Sequence, residues 1–99
     1  MSRQKLSSNE VGALLQGLEG WVLAEDGLAV SKTFKFAGFA QAFGFMAECA
    51  VRAEKIDHHP EWSNVYRTVE VKLTTHDAKG LTALDFDLAA FMDKAASHH

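Results

Sequence analysis

Cysteine and proline occur once each in this 99-residue chain, acidic residues outnumber basic ones, and no long apolar run is present. A single cysteine, Cys49, cannot close an intramolecular disulfide, which excludes a stapled secreted scaffold and favours a reducing, cytoplasmic setting. Ten Lys and Arg against thirteen Asp and Glu leave a net charge of −3, the wrong sign for a strongly basic nucleic-acid binder. No stretch approaches the roughly 18 uninterrupted apolar residues of a membrane span. The polar opening Met1-Ser2-Arg3-Gln4-Lys5 is followed by no signal-peptide core. Repeats, low-complexity tracts and Pro/Gly/Ser linkers are also lacking, so residues 1–99 read as a single domain with frayed ends at 1–6 and 96–99.

What is present is a foldable composition, 47% hydrophobic and 10% aromatic, with five histidines. Ser7-Ser8-Asn9-Glu10 offers a helix cap, and Val11, Leu14, Leu15 and Leu18 follow at helical spacing toward an end near Gly20. Two β-rich segments, Trp21–Ala24 and Leu28–Phe36, flank the turn dipeptide Asp26-Gly27 and predict an antiparallel pair. Phe39, Ala42, Phe43, Met46, Cys49, Ala50 and Ala53 predict one buried face of a long helix ending near Ile56, with Cys49 as a core residue. Phe45 and Val51 fall off that face, which calls for a second covering surface or a partner chain. Gly44 within this helix permits a close approach.

Val69, Val71 and Leu73 alternate with Glu70 and Lys72 as in a half-buried strand, preceded by a shorter one at Trp62–Tyr66. Glu70, Lys72 and Arg67 form its solvated face. Thr82-Ala83-Leu84-Asp85 reads as a capped helix start, with Leu84, Leu88, Phe91 and Ala95 as its buried stripe. The order α-β-β-α-β-β-α predicts an α+β two-layer sandwich: a four-stranded antiparallel sheet with helices on one face.

His98 and His99 sit at the chain end, a poor place for precise chemistry. The other three histidines lie at element ends. His58 and His59 fall where the long helix must stop, because Pro60 drives His59 out of helical geometry. Their side chains diverge in an extended segment, and Glu54 shares a face with His58 if the helix persists. His76 follows the alternating strand. A solvated helix terminus, a metal site and a general acid–base pair all use such residues. The metal reading lacks a recognised ligand spacing; imidazole's titration near neutrality suits proton transfer.

The run Glu54-Lys55-Ile56-Asp57-His58-His59-Pro60-Glu61-Trp62-Ser63-Asn64-Val65-Tyr66 resembles the pterin-4a-carbinolamine dehydratase family. Val69-Glu70-Val71-Lys72-Leu73-Thr74-Thr75-His76-Asp77, Gly80-Leu81-Thr82 and the upstream Phe43-Gly44-Phe45-Met46 extend the resemblance over roughly Trp21 to Met92. Ser63 departs from it, since relatives often carry an aromatic there.

The resemblance implies the same sandwich assembled as a homodimer or homotetramer, which would account for Phe45 and the outer sheet face. It implies dehydration of 4a-hydroxytetrahydrobiopterin, the carbinolamine released by aromatic amino-acid hydroxylases, to quinonoid dihydrobiopterin with no metal or organic cofactor. The family's three functional histidines match His58, His59 and His76. Its neighbouring site residues match Glu54, Asp57, Trp62 and Asp85. On this basis His58 and His76 form the acid–base pair and His59 positions substrate. Glu54 accepts pterin N–H groups, Asp57 and Asp85 orient imidazoles, and Trp62 walls the site. A binding role, as the dimerisation cofactor of a homeodomain transcription factor, is the alternative that animal relatives imply.

Overall fold

The computed structural model describes residues 3–99, so Met1 and Ser2 of the expected N-terminal fray lie outside the described residues. Helix α1 spans Ser8–Leu15, strand β1 Val22–Leu23, β2 Val30–Lys35, helix α2 Phe39–Ile56, β3 Glu61–Val65, β4 Thr68–Leu73 and helix α3 Ala83–Ala96. A single 3-10 turn, His76–Ala78, joins β4 to α3. The strands form one antiparallel sheet in the order β1-β2-β4-β3. This is the expected α-β-β-α-β-β-α arrangement.

The register explains why one sheet face is covered. Val30 pairs with Leu73 and Phe34 with Val69, all buried, while Ser31 opposite Lys72 and Thr33 opposite Glu70 point the other way. Onto the apolar side pack Ala42, Phe45, Cys49 and Ala53 from α2 and Leu88, Ala89, Met92 and Ala95 from α3. Glu70, Lys72 and Arg67 are exposed as predicted.

The buried stripe of α2 departs from expectation. Phe45 is fully buried, its ring centroid 4.8 Å from Phe34 and 4.9 Å from Phe36, whereas Phe43 is 59% exposed beside Phe39. Two overlapping apolar stripes exist at helical spacing, and the one that meets the sheet runs Ala42, Phe45, Cys49, Ala53. Phe45 therefore needs no partner chain to cover it. Val51, with Phe39 and Phe43, does remain exposed.

Element ends shift for local reasons. Helix α1 ends at Leu15, not near Gly20, because bonds from Gly17 N–H to Leu14 O and Leu18 N–H to Leu15 O tighten the chain into turns. Strand β3 stops at Val65 since Tyr66 takes φ 51° in the turn to β4. The first turn of α1 carries the expected reciprocal cap between Ser7 and Glu10. At the chain ends, Leu6 N–H donates to Leu81 O, and His98 and His99 rest against Glu48.

Candidate active site

The end of α2 delivers the adjacent histidines. Asp57 takes the left-handed conformation, φ 52° and ψ 49°, which aspartate tolerates better than most residues. His58 N–H then reaches back to Ala53 O at 3.0 Å and Asp57 N–H to Glu54 O at 3.3 Å, the paired bonds of a Schellman stop. The helix thus ends before His58, so Glu54 and His58 do not share a helical face. Glu54 Oε1 instead lies 2.8 Å from Nε2 of His59.

His58 turns inward. It is 6% exposed, and its Nε2 lies 2.6 Å from Oδ1 of the fully buried Asp85. The other Asp85 oxygen accepts Thr75 Oγ1–H at 2.7 Å and Thr82 N–H at 2.9 Å, and the two threonine hydroxyls are 2.8 Å apart. The Thr82–Asp85 capping box expected from sequence is present. One carboxylate therefore starts α3 and anchors an imidazole. A carboxylate at Asp85 only accepts, so this contact requires the His58 tautomer with hydrogen on Nε2 and a lone pair on Nδ1.

His59 and His76 lie at the surface. His76 Nε2 is 2.9 Å from Glu61 Oε2 at the start of β3. All three imidazoles line one open recess of about 250 Å³, together with Arg3, Asp57 and Thr75. A second recess of about 640 Å³ is lined by Glu54, His59, Pro60 and Trp62 with apolar Ala50, Val51 and Ala53. His59 borders both. Asp57 points its exposed carboxylate toward Arg3 at 3.6 Å rather than to an imidazole, and Arg3 also donates to Asp57 O at 2.6 Å.

The candidate residues therefore divide into two adjoining hollows, a polar one with His58, His76 and Asp57 and a more apolar one with Glu54 and Trp62, joined at His59 and braced beneath by Asp85. Sequence reasoning missed Thr75, Thr82 as part of the network, Glu61 and Arg3. Only Thr82 carried a local signal, through its cap.

An antiparallel sheet backed by helices, with histidines of unlike burial at its rim, defines a small α+β domain. A sequence profile described as Pterin 4 alpha carbinolamine dehydratase matches residues 4–95. The chain belongs to that family. It is 57% identical over 98% of its length to a Sinorhizobium fredii protein named "Putative pterin-4-alpha-carbinolamine dehydratase", covering 92% of that protein. A Rhizobium meliloti protein of the same name is 58% identical over 97% of this chain and 92% of its own. Among solved structures, one described as a transcriptional coactivator/pterin dehydratase from Brucella melitensis is similar with a TM-score of 0.91 and 44% identity, covering 94% of this chain and 99% of the other.

Proposed function

We propose that this protein dehydrates a pterin-4a-carbinolamine, 4a-hydroxytetrahydrobiopterin, to quinonoid dihydrobiopterin and water, and so recycles the pterin used by aromatic amino-acid hydroxylases. The observation that carries the reading is the convergence of His58, His59 and His76 on one recess, with only His58 tied to a buried carboxylate. In the reaction the bond from C4a to the hydroxyl oxygen breaks, N5 loses its proton, and a C4a–N5 double bond forms. One group must protonate the departing hydroxyl and another must accept the N5 proton. His58 and His76 take these roles, and His59 positions the substrate between the two hollows. Glu54 accepts pterin N–H groups, and Trp62 offers a flat wall to the ring. Asp85 orients His58, and Asp57 shapes the rim through Arg3.

The test is stopped-flow dehydration of the carbinolamine. His58→Ala and His76→Ala are each expected to slow turnover by about 10²-fold or more. Unchanged turnover in both would refute the assignment. The description of the Brucella melitensis neighbour as a coactivator favours a second reading, binding of a transcription factor. A partner captured equally well by the His58→Ala/His76→Ala double variant would separate that role from catalysis.

The exposed Phe39, Phe43 and Val51 on α2 support a homodimer or homotetramer. Light scattering of Phe43→Glu, expected to give a smaller species, tests it. The buried, unpaired Cys49 supports a cytoplasmic setting. Among the described residues, no helix is long and apolar enough to cross a membrane.

A further inference from the structure

We propose that Glu48, His98 and His99 form a binding site for a divalent transition-metal ion of the zinc class, where the last turn after α3 folds back on α2. His98 Nε2 lies 3.0 Å from Glu48 Oε1 and His99 Nε2 lies 2.7 Å from the same oxygen. One ligand atom from each of the three residues falls within 4.8 Å of the other two. None of the three lines either of the hollows at the candidate active site.

The surroundings hold the two imidazoles in place. Ser97 Oγ donates to Lys94 O at 2.6 Å, His98 N–H to Ala95 O and His99 N–H to Ala96 O, so the terminal turn continues the winding of α3. Gly44 stands four residues before Glu48 on α2, hence on the same face. A Cβ at Gly44 would sit 3.1 Å from His99 Nδ1, a tight contact, so the missing side chain leaves room for that ring against the helix.

Two neutral imidazoles and a carboxylate are a common borderline donor set for zinc, and three protein ligands leave a fourth position open. Tetrahedral donors about 2.1 Å from zinc stand about 3.4 Å apart. The contacts to Glu48 need to open by less than about 1 Å to admit the ion, within reach of exposed rotamers.

Titration calorimetry of the full chain with zinc chloride tests the proposal, with magnesium chloride as the hard-cation control. The expected result is about one zinc ion per chain, no magnesium binding, and affinity reduced at least tenfold in both Glu48→Gln and His98→Ala. Circular dichroism of the variants without zinc confirms that they fold. Zinc binding that is absent from the wild type, or unchanged in both variants and therefore held by other histidines, would overturn it.

Discussion

Replacing Asp85 by asparagine is the most searching perturbation of the candidate site, because it keeps the shape of the side chain and changes what it can accept. Three donors converge on the buried carboxylate: His58 Nε2 at 2.6 Å, Thr75 Oγ1 at 2.7 Å and Thr82 N at 2.9 Å. In Asp85→Asn the amide oxygen can still serve the two contacts from Thr75 and Thr82. The amide NH2 then faces His58, and only a lone pair on Nε2 can receive it. The imidazole must move its proton to Nδ1, so the nitrogen that was free to accept a proton becomes a donor.

The expected loss in turnover is about 10²- to 10⁴-fold, the scale of a misplaced general acid or base. Stability should also fall. Three charge-assisted bonds become neutral ones, at about 1 kcal/mol each, or about 3 kcal/mol in all. That is a large share of a typical domain's stability but leaves the protein folded. Asp85→Ala, by contrast, leaves His58 Nε2 and Thr82 N–H without their buried acceptor and is expected to cost about 3–5 kcal/mol. Urea unfolding and single-turnover dehydration, measured on the same Asp85→Asn preparation, separate the two effects. A folded variant turning over within about threefold of wild type would refute the claim that Asp85 sets the His58 tautomer.

Other consequences are simpler to check. Phe45→Ala removes a fully buried ring packed on Phe34 and Phe36 and should lower the free energy of unfolding by about 3–5 kcal/mol, read from the urea midpoint. Burial pushes the Cys49 thiol up to about 12, so a thiol reagent at mildly alkaline pH should label it no faster than the protein unfolds; rapid stoichiometric labelling of the native state would contradict this. The Ser7 backbone N–H, followed by its hydroxyl, holds the Glu10 carboxyl below 4.5. A depressed folded value gives stability that is present above 4.5 and lost as pH falls through that lower value. The stability gap between wild type and Glu10→Gln should therefore close in unfolding curves taken from about pH 6 to about pH 3.

Local signals predicted local structure well. The capping boxes at Ser7 and Thr82, the proline after His59 and the alternation through Val69, Val71 and Leu73 each act within a few residues, and each element formed where its signal lay. Phe45 shows where such signals end. Both Phe43 and Phe45 sit on apolar stripes of α2, and the choice between them is made by Phe34 and Phe36, which the sequence alone does not bring into contact with the helix. The Asp85–His58 contact spans 27 residues and the His98–Glu48 contact 50. No periodicity encodes either. Resemblance to a family pointed to Asp85; nothing pointed to Glu48, because the imidazoles reach it only through the winding of α3 beyond Ala96.

The unlike burial of the three site histidines has its own logic. Asp85 caps α3 with one oxygen and holds His58 with the other, so the residue that starts the helix also fixes that imidazole. Under the proposed function, the orientation of His58 is set by folding, with no separate ordering cost when a substrate arrives. His59 and His76 are exposed and, among the described residues, are held by the surface carboxylates Glu54 and Glu61. Such contacts are weak, and under the proposed function a substrate N–H or hydroxyl would replace them at little cost. A rigid imidazole beside two adjustable ones suits the proposed dehydration, in which one proton site would be fixed while a flat ring slides into register against it.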